Sequence, residues 1–236
     1  MKKFMFTPHE IESHKSDRKE WHHFVRCREA EIAFSLFPNV RFRLALELGA
    51  GDGGQSITIS KYCDKLLCTE KDEKSNAWLG QTILQRRMAN VEYMLCDAQD
   101  LSQFGNGTFD LIFSSNLLEH ISDVDKCLNE CRRVLRDDGL MLHTMPSRWW
   151  KLFSSGLSIL RLRRPGIHGV STSNWQEFCA FGSSVWRKRI ESNALMVTDI
   201  VGLPFYVGHG NSFIPIIKAG NALKICASYL YVLRKK

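Results

Sequence analysis

From residue 40 onward, short apolar runs alternate with stretches whose apolar residues recur at helical spacing. The runs predict strands near 44–48, 65–69, 91–95, 110–114 and 140–145, and the helical spacing predicts helices near 54–62, 73–87 and 123–136. Strict alternation of this kind builds a parallel sheet with helices on both faces, an α/β doubly wound architecture. Phe109-Asp110-Leu111-Ile112-Phe113 is a nearly continuous apolar run, as a strand covered on both faces requires, and Phe104-Gly105-Asn106-Gly107-Thr108 before it is turn chemistry. Upstream, residues 10–37 carry charge as far as Glu20 and then place Trp21, Phe24, Val25, Ile32, Phe34 and Phe37 at a spacing that predicts one leading helix, which Pro38 helps to end.

The alternation breaks after the fifth strand. Residues 146–193 separate it from the next predicted strand, at 195–201, without a tidy crossover helix, and a long insertion usually serves function. Within it, residues 149–164 set Trp149, Trp150, Leu152, Phe153, Leu157, Ile159 and Leu160 on one half of a helix, opposite Lys151, Ser154, Ser155, Ser158 and Arg161. That apolar half is expected either to pack as a lid over the sheet edge or to lie at a membrane surface. Residues 200–217, with Gly202, Pro204, Gly208, Gly210 and Pro215, predict a loop and not a spanning helix, followed by a last strand near 226–233. The expected organisation is a single domain over 1–236. It comprises a helical cap (1–39), a cofactor-binding core (40–146), a lid or substrate insertion (147–194) and C-terminal strands (195–236).

Charge is distributed unevenly. Up to Ser147 there are 19 basic and 22 acidic residues, and beyond it 13 basic and 3 acidic. The cationic C-terminal third would draw an anionic partner, whether a phosphorylated small molecule, anionic lipid or nucleic acid. The eight cysteines (Cys27, Cys63, Cys68, Cys96, Cys127, Cys131, Cys179 and Cys226) form no C-x-x-C pair and no zinc-type spacing, so they are expected to be reduced, in a reducing compartment, with no metal. Thr7-Pro8-His9-Glu10 interrupts the apolar opening before any signal-peptide core develops, and the expected location is cytoplasmic, with peripheral membrane contact through 149–164.

The chemistry concentrates in Leu44-Ala45-Leu46-Glu47-Leu48-Gly49-Ala50-Gly51-Asp52-Gly53-Gly54, a strand, a carboxylate and a glycine turn that can open a helix. Glycines let the backbone bend sharply and approach a ligand closely. Gly49, Gly51 and Gly54 also spell the dinucleotide pattern G-x-G-x-x-G, but Glu47 would stand close to a bound pyrophosphate. Three further segments follow in order. Glu70 ends the second strand, Cys96-Asp97-Ala98 follows the third, and Ser114-Ser115-Asn116-Leu117-Leu118-Glu119-His120-Ile121 follows the fourth.

Over residues 40–146, and more loosely to the C-terminus, these four segments together resemble the class I S-adenosylmethionine-dependent methyltransferases, in particular the small-molecule, type 11-like group. The resemblance implies a Rossmann-like fold with a mostly parallel seven-stranded sheet, an antiparallel last strand and helices on both faces. It implies S-adenosylmethionine as cofactor and S-adenosylhomocysteine as product. Glu70 would accept the ribose hydroxyls, Asp97 and the Ala98 amide would meet the adenine, and Gly49, Ala50 and Gly51 would lie against the methionine moiety. Glu47 would hold either the cofactor's amino end or the turn, and Asn116 would border the same site.

Methyl transfer from a sulfonium is an in-line displacement whose main requirement is alignment, so a general base is optional. His120 is the candidate base, one turn beyond Asn116. His143, within the fifth strand, reads as a core residue, while His168 and His209 sit in glycine-flanked turns that could close on substrate. The absence of Asn/Asp-Pro-Pro-Tyr after the fourth strand and of any Pro-Cys pair argues against amino-methylation by that motif and against cytosine-C5 chemistry. The C-terminus is similar to the ends of methyltransferases found with surface-polysaccharide enzymes, which implies a small-molecule acceptor such as a sugar or lipid-linked saccharide. An RNA methyltransferase using the basic third, and a non-catalytic partner that kept the fold, are the alternatives, with nucleic acid the less favoured partner.

Overall fold

The computed structural model describes residues 7–14, 17–209, 212–216 and 225–236. Seven strands form one sheet: β1 (Phe42–Leu48), β2 (Cys63–Glu70), β3 (Val91–Leu95), β4 (Phe109–Ser115), β5 (Leu135–Pro146), β6 (Leu195–Gly202) and β9 (Ser228–Lys235). Their spatial order is β3-β2-β1-β4-β5-β9-β6. β1 pairs in parallel with both β2 and β4, and only β9 runs antiparallel to its neighbours β5 and β6. This is the expected mostly parallel sheet with an antiparallel last strand. The chain steps outward from β1 in one direction and from β4 in the other, so the carboxyl ends of these two strands border a topological switch point, where such sheets bind ligands.

Both faces are covered. Helices α5 (Val124–Val134) and α8 (Ser183–Ser192) pack on Leu46, Leu48, Ile112 and Met141. On the other face, α2 (Arg18–Ser35), α3 (Ser56–Ile59) and α4 (Glu73–Gln85) pack on Ala45, Leu66, Leu111 and Phe113. Helix starts are set locally. Asp72 accepts from the Ser75 amide (2.7 Å) to start α4, and Asp123 accepts from the Lys126 amide (2.9 Å) to start α5. Such caps are each worth about 1 kcal/mol.

Four expectations need correction. The leading helix is two, α1 (Pro8–His14) and α2, separated by residues 15–17. The broken stretch between β5 and β6 holds three short helices, α6 (Arg148–Leu160), α7 (Asn174–Ala180) and α8. Residues 200–217 are not simply a loop, since β7 (Phe205–His209) and β8 (Ser212–Ile216) pair as an antiparallel hairpin. Gly210, in the turn that includes His209, and Ile217 lie outside the described residues.

The fourth correction concerns α6, which packs only part of its apolar half, Trp150 onto the Trp21 cluster and Phe153 beside Phe205. Lys151 and Ser158 of the polar half are buried, whereas Leu152, Phe153, Ile159 and Leu160 are exposed, Leu160 to 82%. The buried polar groups are satisfied. Lys151 Nζ pairs with the fully buried Glu177 of α7 and donates to the Gly166 carbonyl (2.7 Å), and Ser158 donates to the Ser154 carbonyl (2.9 Å). Among the described residues, no helix is long and apolar enough to cross a membrane.

Candidate functional site

The glycine turn leaves β1 in the conformation its composition predicts. Gly49, Gly51 and Gly53 all have positive φ, at 65°, 58° and 80°, a region that residues with a Cβ avoid. A Cβ at Gly51 would meet nothing within 4 Å, so the backbone there faces open space. That space is a cavity of about 220 Å³ lined by His22, His23 and Arg26 of α2, by Ala50, Gly51, Asp52, Gly54 and Gln55 of the turn, and by Ser115 at the end of β4.

Glu70 stands at the carboxyl end of β2 beside this turn. Its Oε2 accepts from the Gly51 amide (2.9 Å), and its Oε1 accepts from the amides of Lys71 (2.8 Å) and Asp72 (3.2 Å). The capping of α4 belongs to Asp72, which leaves Glu70 to the turn. Glu47 is buried, and its Oε2 accepts from the Ser56 hydroxyl (2.5 Å) and the Cys68 thiol (3.2 Å), so its carboxyl ties β1 to α3 beneath the turn. Burial pushes the Glu47 carboxyl up to about 7; the bonds from Ser56 and Cys68 oppose that rise and the nearby Glu70 carboxylate adds to it.

Asp97 follows β3. Partial burial opposes its ionisation, but Lys71 Nζ at 2.6 Å and the Gln99 amide at 2.9 Å outweigh burial and hold the carboxyl below its ordinary value. Ala98 beside it is buried. Asn116 has a positive φ of 49°, tolerable for asparagine, and its side-chain amide faces the Arg26 guanidinium. Arg26 also pairs with the buried Glu29 at 2.6 Å. Sequence reasoning missed this arginine together with His22, His23, Gln55 and Ser115, because their contribution depends on how α2 docks across the glycine turn. The contact is close. A Cβ on Gly54 would fall 1.1 Å from His23 Nε2.

Around the far side of β4, Glu119 and His120 lie in a short 3-10 turn (Leu118–His120), and His168 reaches them from the loop between α6 and α7. His168 and Gly169 donate their amides to Glu177 Oε1, both at 2.6 Å, and the Val170 amide donates to the Glu119 carbonyl at 3.1 Å. Burial pushes the His120 imidazole down, against the opposing pull of Glu119, with His168 adding to the fall. His143 is a core residue, with Nδ1 2.7 Å from the Ser114 hydroxyl, and burial pushes it down to about 4. Of His209, only the backbone in β7 is described. All eight cysteines are free thiols, and only Cys179 is exposed.

An S-adenosyl group fits these residues. Gly51 opens the backbone to it, the Glu70 carboxylate that could accept vicinal hydroxyls is held 2.9 Å from the Gly51 amide, and Arg26 in the cavity lining offers a cation for an amino-acid carboxylate. Residues 46–143 match the methyltransferase domain family. The chain is 26% identical over 164 residues to a ubiquinone biosynthesis O-methyltransferase of Sinorhizobium fredii, covering 68% of this chain and 62% of that protein. It is 25% identical over 167 residues to the mitochondrial ubiquinone biosynthesis O-methyltransferase of Bos taurus, covering 67% and 42%. The chain thus spans between 42% and 62% of the length of these relatives. Among solved structures, it is similar to a SAM-dependent methyltransferase from Aquifex aeolicus (TM-score 0.62, 15% identity, 97% of this chain and 98% of that one). It is also similar to the PH0226 protein of Pyrococcus horikoshii (TM-score 0.64, 19% identity, 94% and 93%).

The domain match over residues 46–143, together with the strand order and the glycine turn, supports a class I S-adenosylmethionine-dependent methyltransferase domain. S-adenosylmethionine is the cofactor of that class.

Proposed function

We propose that the chain transfers a methyl group from S-adenosylmethionine to an oxygen of a hydroxylated, largely apolar small molecule. The observation that carries this reading is the adjacency of two sites at the carboxyl edge of the sheet. Ser115 lines the cavity beside Gly51 and Arg26, and four residues further along the same segment Glu119 stands 3.6 Å from His168. The bound cofactor supplies an electrophilic methyl on a sulfonium. Glu70 and the Asp97–Ala98 segment would fix its nucleoside half, and Arg26 would hold its carboxylate. The chain's task is then alignment, which in well-oriented systems is worth about 7–11 kcal/mol. The acceptor oxygen attacks in line, and its proton leaves toward the polar groups at the mouth, where His120 remains the candidate base.

Oxygen as acceptor atom is supported by relatives named as ubiquinone biosynthesis O-methyltransferases. These relatives give no support to the saccharide acceptor suggested by the C-terminal likeness, and a quinone precursor takes its place. An apolar acceptor also suits the outward apolar half of α6, which with Arg163 and Arg164 forms the proposed contact with an anionic bilayer.

The test is incubation of the purified protein with methyl-labelled S-adenosylmethionine and, in separate arms, hydroxylated quinone precursors, sugars and RNA. Label in an ether on a quinone precursor is expected. Label in RNA or sugar alone would overturn the acceptor assignment.

A further inference from the structure

The sheet ends on β3, and that edge is open: among the described residues, β3 pairs with β2 alone. The opposite edge strand, β6, carries Asp199 and a register shift between Val197 and Asp199, devices that keep a strand edge from pairing with another chain. β3 runs in unbroken register along β2, has no proline, and bears a single charge, Glu92.

Which backbone groups of β3 face outward follows from the hydrogen bonds at its two ends. The Asn90 carbonyl accepts from the Leu66 amide (2.9 Å), and the Cys96 amide donates to the Glu70 carbonyl (2.9 Å). Residues 90 and 96 therefore turn toward β2, and with a period of two so do Glu92 and Met94, which directs the amides and carbonyls of Tyr93 and Leu95 outward. Val91 is in the same phase, but its amide already donates to the Met88 carbonyl (3.1 Å), so its carbonyl is what it offers to an outside strand.

The side chains along this edge carry a knob and a groove. Tyr93 lies on the α4 face, since a Cβ on Gly80 would meet the Tyr93 hydroxyl at 2.5 Å, and Val91 and Leu95 share that face. Leu95, at the carboxyl end of the strand, is 48% exposed. At the amino end, an apolar groove of about 700 Å³ is lined by Ile83, Leu84, Met88, Val91 and Tyr93, with Arg87. Charge divides in the same way. Arg86 and Arg87 are exposed at the amino end and Asp100 is exposed beyond the carboxyl end, and none of these forms a salt bridge among the described residues.

We propose that this edge is a docking surface for a second copy of the chain, β3 against β3, antiparallel about a two-fold axis at Tyr93. Pairing centred there sets Tyr93 opposite its own symmetry mate and Leu95 opposite Val91. The two Tyr93 residues exchange a pair of backbone bonds, and each Leu95 amide donates to the Val91 carbonyl of the opposing copy. Residues directly opposite in such a pair share a face, so each Leu95 lies over the opposing groove at Val91. Antiparallel strands also bring unlike ends together, so the Arg86–Arg87 end of one copy meets the Asp100 end of the other. A foreign extended segment would satisfy the backbone groups but would not bring the apolar knob and the acidic end in register, and that favours the second copy. The assembly does not depend on the methyl-transfer reading.

The experiment is analytical ultracentrifugation of the full-length protein at about 1–100 µM, for wild type and Leu95→Lys, with circular dichroism to show that both are folded. A reversible dimer with a micromolar dissociation constant is expected. The axis repeats each substitution, so Leu95→Lys should weaken the dimer at least about 100-fold, while leaving the exposed site of the single chain folded. Cross-linking checks the register. Under mild oxidation Tyr93→Cys should form a disulfide with its symmetry mate, whose Cα would stand about 5.5 Å away, whereas Glu92→Cys, set beyond bridging reach of its own mate, should not. A wild-type protein that stays monomeric up to about 100 µM would overturn the proposal. So would a dimer that Leu95→Lys leaves intact, or one in which Glu92→Cys cross-links as readily as Tyr93→Cys.

Discussion

Replacing Lys151 with methionine removes the cation opposite Glu177 while nearly preserving side-chain volume. Lys151 is 3% exposed and Glu177 fully buried, so the variant leaves a carboxylate in the interior whose remaining donors, among the described residues, are the His168 and Gly169 amides. Removing one partner of a buried ion pair costs about 3–5 kcal/mol, because the surviving charge keeps its desolvation penalty. For a chain of this size each kcal/mol lowers the melting temperature by about 2–4 °C, so a fall of about 6–20 °C is expected. Thermal unfolding followed by circular dichroism measures it. Limited trypsinolysis at the exposed Arg163–Arg164 pair separates a loss confined to the insertion from a global one. The double variant Lys151→Met/Glu177→Gln keeps an oxygen for both amides and removes the stranded charge, and it should recover most of the loss. If Lys151→Met costs less than about 1 kcal/mol and cleavage is unchanged, the ion pair does not hold the His168 loop and the reasoning fails.

Three further outcomes follow from particular groups. Glu47 has a folded value near 7 against an ordinary 4.5, so its contribution is fully present below pH 4.5 and is lost as pH rises through about 7. Glu47→Gln should flatten that fall, by about 3 kcal/mol at most, in urea titrations at pH 5 and 8, and parallel pH profiles for variant and wild type would refute it. The buried His143, pushed down to about 4, should stay neutral at pH 5.5 in the folded protein, and an NMR titration showing its ring protonated there would contradict the burial argument. Leu160 and Leu162 are 82% and 98% exposed beside Arg163 and Arg164, so the protein should co-sediment with phosphatidylglycerol vesicles at low salt. Leu160→Ser/Leu162→Ser should lower that binding at least tenfold, since burying each leucine is worth about 1.5–3 kcal/mol; equal sedimentation of variant and wild type would refute the contact.

What could be read from the sequence was chemistry carried by contiguous residues. The glycine turn and its positive φ values follow from short-range geometry that a few adjacent residues fix, while Glu70 reaches Gly51 through the parallel pairing of β1 with β2. The parallel sheet covered on both faces followed from strand-helix alternation, whereas the seven strands and the antiparallel last one came from the family resemblance. The rest needed contacts remote along the chain. Arg26 reaches the cleft only because α2 docks on Gly54, and His168 meets Glu119 only because Glu177 and Lys151 fix the loop. The burial of Lys151 and Ser158 from the polar half of α6 shows the same limit. The helix's apolar periodicity was plain, but burial also went to the face that found a carboxylate for Lys151, and periodicity carries no record of that partner. The hairpin of β7 and β8 was hidden by glycines and prolines that also suit a loop.

The central claim is that the Gly51–Glu70 cleft binds S-adenosylmethionine, and calorimetric titration of S-adenosylhomocysteine tests it most directly, with Glu70→Ala and NADH as controls. A carboxylate that accepts two ribose hydroxyls forms charge-assisted bonds worth about 1.5–3 kcal/mol each. The account predicts one micromolar site per chain, an affinity at least 100-fold weaker in Glu70→Ala, and no heat with NADH. A folded wild-type protein that binds no S-adenosylhomocysteine, or a Glu70→Ala variant that binds it as well as wild type does, would contradict it.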